Sequence, residues 1–230
     1  MEKTLVGRAV RFFWLMFQLN LLVGASNVIL IIAMLGFVLH VFTLPIYLLG
    51  AVLAVPSLQA LFLTIKRREE LEKISLLELY MKSYREEFKG ALLFSLAYIF
   101  LALLLLGSYV GVDFLPNQFI FVPIYGLLAI VLYIHFIFGL WIRAHFIINI
   151  VGTWRLGFYC ITKYPLKSFF ILGGTFILGA FVYTFHQLII LGIFPAGVYL
   201  LMISSEKMFD DLTKILKVEP PSDGDGDGMN

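Results

Sequence analysis

Charge is scarce in this sequence: Lys, Arg, Asp and Glu make up 14% of 230 residues, against 61% hydrophobic residues, and Cys160 is its single cysteine. So few charges cannot cover a water-facing surface, which excludes an ordinary soluble domain and leaves a membrane protein. A lone thiol makes neither an intramolecular disulfide nor a cysteine-based metal site, so Cys160 reads as a small apolar residue. Catalytic signatures are missing as well. There is no H-E-x-x-H, no Cys/His cluster, no G-x-x-x-x-G-K-[ST] phosphate loop and no nucleophile elbow. Gly24-Ala25-Ser26 is only a fragment of a serine motif. The expectation is a non-enzyme with no cofactor, no metal and no nucleic-acid partner, and without the phosphate loop it is not the ATPase of a transporter.

What is present is a series of apolar blocks close to the ~20 residues a helix needs to cross a bilayer. Continuous runs of this kind predict helices, because a membrane barrel alternates apolar and polar residues over ~10-residue segments. The spans are expected at about 12–39, 45–65, 90–106, 119–142, 168–183 and 188–203, with a tight turn at His186 and Gln187 and a polar tail at 206–230. The first block is too long for a ~7 to 15-residue signal core, so it reads as an uncleaved span. Pro56 predicts a kink inside the second.

All 17 Lys and Arg fall in four segments: 3 before the first span, 7 in Lys66 to Lys89, 4 in Arg143 to Lys167 and 3 after the sixth. In a six-span layout these segments share one side, and the three opposite loops have none. The positive-inside rule then places both termini in the cytoplasm. Trp14, Trp141 and Trp154 read as interfacial anchors, and Arg143 and His145 as side chains that snorkel to headgroups.

The longest charged stretch, Lys66 to Lys89, contains Ser75 and Glu78 at capping-box spacing, so a helix is expected to start there. Leu77, Met81, Tyr84 and Phe88 would share one face, with Glu78, Lys82, Arg85 and Glu86 on another. Such a helix would lie in the interface plane, as a connector or as a docking surface formed by Leu77, Met81, Lys82, Tyr84, Arg85 and Phe88. Pro45-Ile46-Tyr47 recurs 78 residues later as Pro123-Ile124-Tyr125, and the same offset relates Ser75 to Thr153 and Arg11 to Lys89 to Lys167. A third hairpin holds Pro195. The resulting expectation is an all-α six-helix bundle of three repeated hairpins, two of them ending in cytoplasmic interfacial helices, the second capped by Thr153.

Asn20, Asn27, Gln59 and His135 are the notable polar residues inside the spans, each costly in lipid unless it faces another helix, a cavity or water. They either converge on a substrate site or serve as interhelical contacts. No carboxylate accompanies His135 in the expected spans, which argues against a proton pump. Asp223, Asp225, Asp227 and Gly228 match the opening of a calcium loop, but its twelfth ligand has no counterpart before Asn230, and the tail reads as disordered.

Leu19-Asn20-Leu21-Leu22, Pro56-Ser57-Leu58-Gln59-Ala60 and Tyr84-Arg85-Glu86-Glu87-Phe88, set in this layout, resemble the YesL-like family of bacterial integral membrane proteins, a domain of unknown function. Pro56-Ser57 departs from that family's proline-alanine pair. The family's genes often accompany those of ABC-class carbohydrate importers, so the resemblance implies an accessory role in oligosaccharide uptake with importer subunits as partners. It implies no activity, cofactor or binding residues. The alternative is a sugar or small-solute carrier acting alone. Three two-helix units resemble the layout of mitochondrial-type carriers, whose P-x-[DE]-x-x-[KR] motif is absent. A permease subunit would need an E-A-A loop, and none is found.

Overall fold

Backbone amides have no water to bond with inside a bilayer, so apolar blocks satisfy them internally as helices. The computed structural model describes residues 5–38, 40, 42–112, 118–146, 148–184 and 193–216, and every regular element among them is helical. In order these are α1 (Leu5–Ser26), α2 (Val28–Gly36), α3 (Leu44–Lys66), a 3₁₀ stretch (Arg68–Glu72), α4 (Leu76–Val112), α5 (Gln118–His145), α6 (Ile150–Lys163), α7 (Pro165–Thr184), α8 (Ile193–Ser204) and α9 (Glu206–Leu216). Four segments are long and apolar enough to cross a membrane: Ala9–Ser26, Leu44–Lys66, Leu76–Gly111 and Phe119–His145. Pro165–Leu178 and Phe194–Ser204 are shorter apolar helices, and the expected turn at His186 and Gln187 lies outside the described residues.

The first apolar block is not one helix. At Asn27, with φ −107° and ψ 19°, the backbone N–H is shared between Val23 O and Gly24 O, both at 3.1 Å. The side-chain amide of Asn27 also donates to Val23 O at 2.8 Å, competing with the helical ladder and separating α1 from α2.

Conversely, the expected interfacial helix and third span are a single helix. α4 runs 37 residues, about 55 Å at 1.5 Å per residue, and contains no proline to stop it. Ser75 does cap its start, accepting from the Glu78 N–H at 3.3 Å. The buried face of its first turns is Leu79, Tyr80 and Ser83, while Leu77 and Met81 stay exposed and Tyr84 and Phe88 half-buried. In the second half of the chain the corresponding boundary is broken: Pro165 follows Tyr164, and the residue before a proline is pushed out of the helical region.

Thr153 does not cap α6. Asn149 does, accepting from the Gly152 N–H at 2.7 Å, and Thr153 is a buried interior residue whose hydroxyl donates to Asn149 O. The two caps are thus 74 residues apart rather than 78. Pro45 sits in the first turn of α3, whereas Pro123 is inside α5, so the repeated Pro-Ile-Tyr triplets occupy different places in their helices.

α3 is the most enclosed element, buried almost continuously from Val55 to Ile65 and packed against α1, α2, α4, α5 and α8. Pro56 removes the amide that would bond Val52 O, and Ser95 of α4 donates to that carbonyl at 3.1 Å. The polar tail begins with a helix. In α9, Met208, Phe209 and Leu212 are buried, and Phe209 stacks on His145 at 3.9 Å.

The charged segments collect at one end of the bundle. Lys66 Nζ donates to Ala144 O and His145 O, at 3.0 and 3.2 Å, joining the ends of α3 and α5. Arg67 pairs with Glu86 at 2.6 Å, Lys167 donates to Ser204 O, and Phe12 meets Tyr199 at 5.1 Å between ring centres.

Candidate functional site

His135 has both ring nitrogens committed. Nε2 lies 3.0 Å from Trp154 O, which only accepts, so Nε2 carries the proton and Nδ1 accepts from the Tyr98 hydroxyl. Trp154 and Phe158 cover the ring at 4.9 and 4.3 Å. Gly157 is what lets α6 come this close: a Cβ there would stand 2.7 Å from His135 Nε2. His135 therefore ties α4, α5 and α6 together, with both ring nitrogens engaged in helix contacts.

Asn27 belongs to a different junction. Its Nδ2 donates to Val23 O and to Ser57 Oγ, at 2.8 and 2.5 Å, and next to it Tyr80 donates to Ser26 Oγ at 3.1 Å. This cluster fastens α1 to α3 and α4 at the helix break. Tyr80 and Tyr98 are 18 residues apart, about 27 Å of helix, so the Asn27 and His135 clusters occupy different parts of α4. Gln59 is 0% exposed, and neither amide atom has a hydrogen-bond partner among the described residues. Asn20 is half-buried on α1. Asn27 and His135, expected as possible members of one polar site, are thus brought to separate helix contacts with no shared partner.

Arg143 does not snorkel outward. Its side chain is 7% exposed, pairs with Glu87 at 2.7 Å and lies over the Phe94 ring at 5.8 Å. Gly90 makes the space, since a Cβ there would collide with the guanidinium. Trp141 is fully buried against Phe62, Phe138 and Phe209, so it is a core residue rather than an anchor; Trp154 is half-buried on Tyr98, and Trp14 is exposed. Of the expected docking residues, Leu77, Met81, Lys82 and Arg85 face outward, Lys82 pairing with Glu70 at 3.3 Å. Tyr84 and Phe88 turn partly into the bundle and pack on each other at 5.4 Å.

A hollow of about 830 Å³ lies between α3, α4 and α5 with Leu30 of α2 beside it. Its walls are overwhelmingly apolar. Small side chains at Ala51, Ala54, Ala102, Gly126 and Ala129 leave the space. Of its polar lining groups, Ser95 and Tyr98 are already bonded, to Val52 and His135, Tyr133 lies one turn from Phe136 at the same end, and Tyr109 and Tyr125 lie toward the far end. Sequence reasoning missed this hollow, because small residues on three helices become a cavity only when those helices meet.

Cys160 is 0% exposed, and burial pushes its thiol up to about 12, which disfavours the thiolate near neutral pH. Among the described residues no three His, Cys, Asp or Glu side chains are grouped to hold a metal. The acidic tail motif from Asp223 lies outside the described residues. Comparison of the chain with family models, with curated proteins and with solved structures gave no match.

Proposed function

We propose that this chain is a non-catalytic, six-span membrane protein with both termini in the bacterial cytoplasm, acting as an accessory component of carbohydrate uptake. The observation that carries this reading is that the Asn27 amide nitrogen and both His135 ring nitrogens serve separate helix junctions, which leaves only the Asn27 amide oxygen without a partner among the described residues at those two positions. A sugar carrier needs several free donors and acceptors converging on one hydrated cavity, since each sugar hydroxyl left unpaired costs binding energy. The hollow between α3, α4 and α5 is apolar, which favours an assisting role over conduction. The gathering of the charged segments at one end supports the topology, and the YesL-like motifs support the link to uptake.

The partner surface is the outward face of the first turns of α4, Leu77, Met81, Lys82 and Arg85. Affinity capture from native membranes tests this. Importer subunits should be recovered with the wild-type chain and lost with Met81→Asp plus Arg85→Glu. Recovery of no importer subunit, under conditions that preserve a known importer complex, would overturn the reading.

A further inference from the structure

The hollow between α3, α4 and α5 has a direction. On α4 its lining runs from Ser95 to Tyr109, and on α5 from Phe136 back to Val122, fourteen residues each, or about 21 Å. At the Ser95 end it is blind. Phe94 and Phe136 stack at 5.8 Å, and Tyr98 is bonded to His135, so aromatic side chains fill the space between the helices. At the other end Leu106, Tyr109 and Val122 are all more than a third exposed. That open end lies away from the charged end of the bundle, where Arg143 and Glu87 meet.

We propose that this hollow is a binding site for one acyl chain of a bilayer phospholipid, drawn from the leaflet opposite the charged end. The inference rests on the membrane-spanning reading above and does not depend on the uptake role. Three features select this occupant. The walls lie within segments apolar enough to span a membrane, so the medium at the opening is hydrocarbon. Ser95 and Tyr98 have already given their hydroxyl protons to Val52 and His135, so at the blind end these two groups offer water or sugar acceptors but no donor. The depth of about 21 Å matches half of a ~30 Å hydrocarbon core plus the headgroup boundary, whereas a partner's spanning helix would need a groove through the whole core. Tyr109 and Tyr125 meet at 6.2 Å near the mouth, where phenols suit the headgroup level.

Filling the hollow tests the proposal. A Cβ at Gly126 meets nothing within 4 Å, so Gly126→Leu with Ala129→Phe should occupy the space with the bundle intact, as a melting curve in detergent would check. A second variant, Ala102→Phe, fills it from the opposite wall. Wild type and variants are reconstituted in phosphatidylcholine vesicles containing a phosphatidylcholine with a diazirine near the end of one acyl chain. They are then irradiated and mapped by peptide mass spectrometry. Wild type should label at Ser95, Tyr98 and Ile99, which line the hollow, as well as at the outward-facing Leu96, Phe169 and Phe176. Both variants should lose at least about fivefold of the label at Ser95, Tyr98 and Ile99 and keep it at Leu96, Phe169 and Phe176. Unchanged labelling of Ser95, Tyr98 and Ile99 in the filled variants, or no such labelling in wild type while Phe176 labels, overturns the site. Absence of label at every position overturns it together with the membrane reading. Suppression of the wild-type label by substoichiometric free fatty acid overturns the phospholipid assignment.

Discussion

His135 shows how a polar side chain inside a membrane is made affordable: two hydrogen bonds, two aromatic covers and a glycine opposite. Gly157→Ala should wedge this contact and lower stability by about 1–3 kcal/mol, the usual range for overpacking, measured by thermal unfolding in detergent. Gln59 poses the opposite case. A buried amide with no partner among the described residues is replaced by an apolar isostere at little cost, so Gln59→Leu should be neutral or stabilising by up to ~2 kcal/mol in the same assay. A large loss would mean that the amide is satisfied in the native membrane. Cys160 gives a chemical readout. With the thiol pushed up to about 12, roughly three units above its ordinary value, alkylation at pH 8 should run about a thousandfold slower than for an exposed cysteine and recover on unfolding. Because the raised value means that the fold favours the protonated thiol, its contribution to stability is complete below the ordinary thiol range and is lost as pH climbs toward 12.

Among the elements, α3 and α4 carry the design. Pro56 frees Val52 O and Ser95 supplies the missing donor, so the two residues are energetically coupled. Ser95→Ala should cost about 1 kcal/mol, and much less when Pro56 is first changed to Ala, whose own amide can serve Val52; a double-mutant cycle measures the difference. The start of α4 was legible because Ser75 and Glu78 have the spacing of a cap, which is local chemistry. Its continuation past Phe88 was not, because a switch from amphipathic to apolar pattern marks a change of surroundings and stops no helix without a proline such as Pro165. The cap of α6 was misplaced at Thr153 by trust in an even offset, though Asn149 stands in the sequence three residues before Gly152. The helix α9 had a signal in Met208, Phe209 and Leu212, which share one face. It was obscured by the charges around them.

For the molecule as a whole, the legible part was the partition of charge. The four basic segments lie outside the apolar blocks, and the contacts of Lys66, Arg67, Arg143 and Lys167, from two of them, occur at one end. What counting could not supply was tertiary pairing. Arg143 meets Glu87 only because α4 continues through Glu87 and Gly90 is bare. A carboxylate from what was read as a surface helix thus partners a guanidinium from the end of a span. Nor could the sequence separate a converging polar site from scattered helix contacts, since Asn27 and His135 look alike until their partners are known. The central claim, that these groups hold helices together rather than bind a sugar, is tested most directly by counterflow. Purified protein in proteoliposomes, supplied with a panel of radiolabelled mono- and oligosaccharides, should show no exchange above empty vesicles. Saturable exchange that is abolished by Asn27→Ala would contradict it.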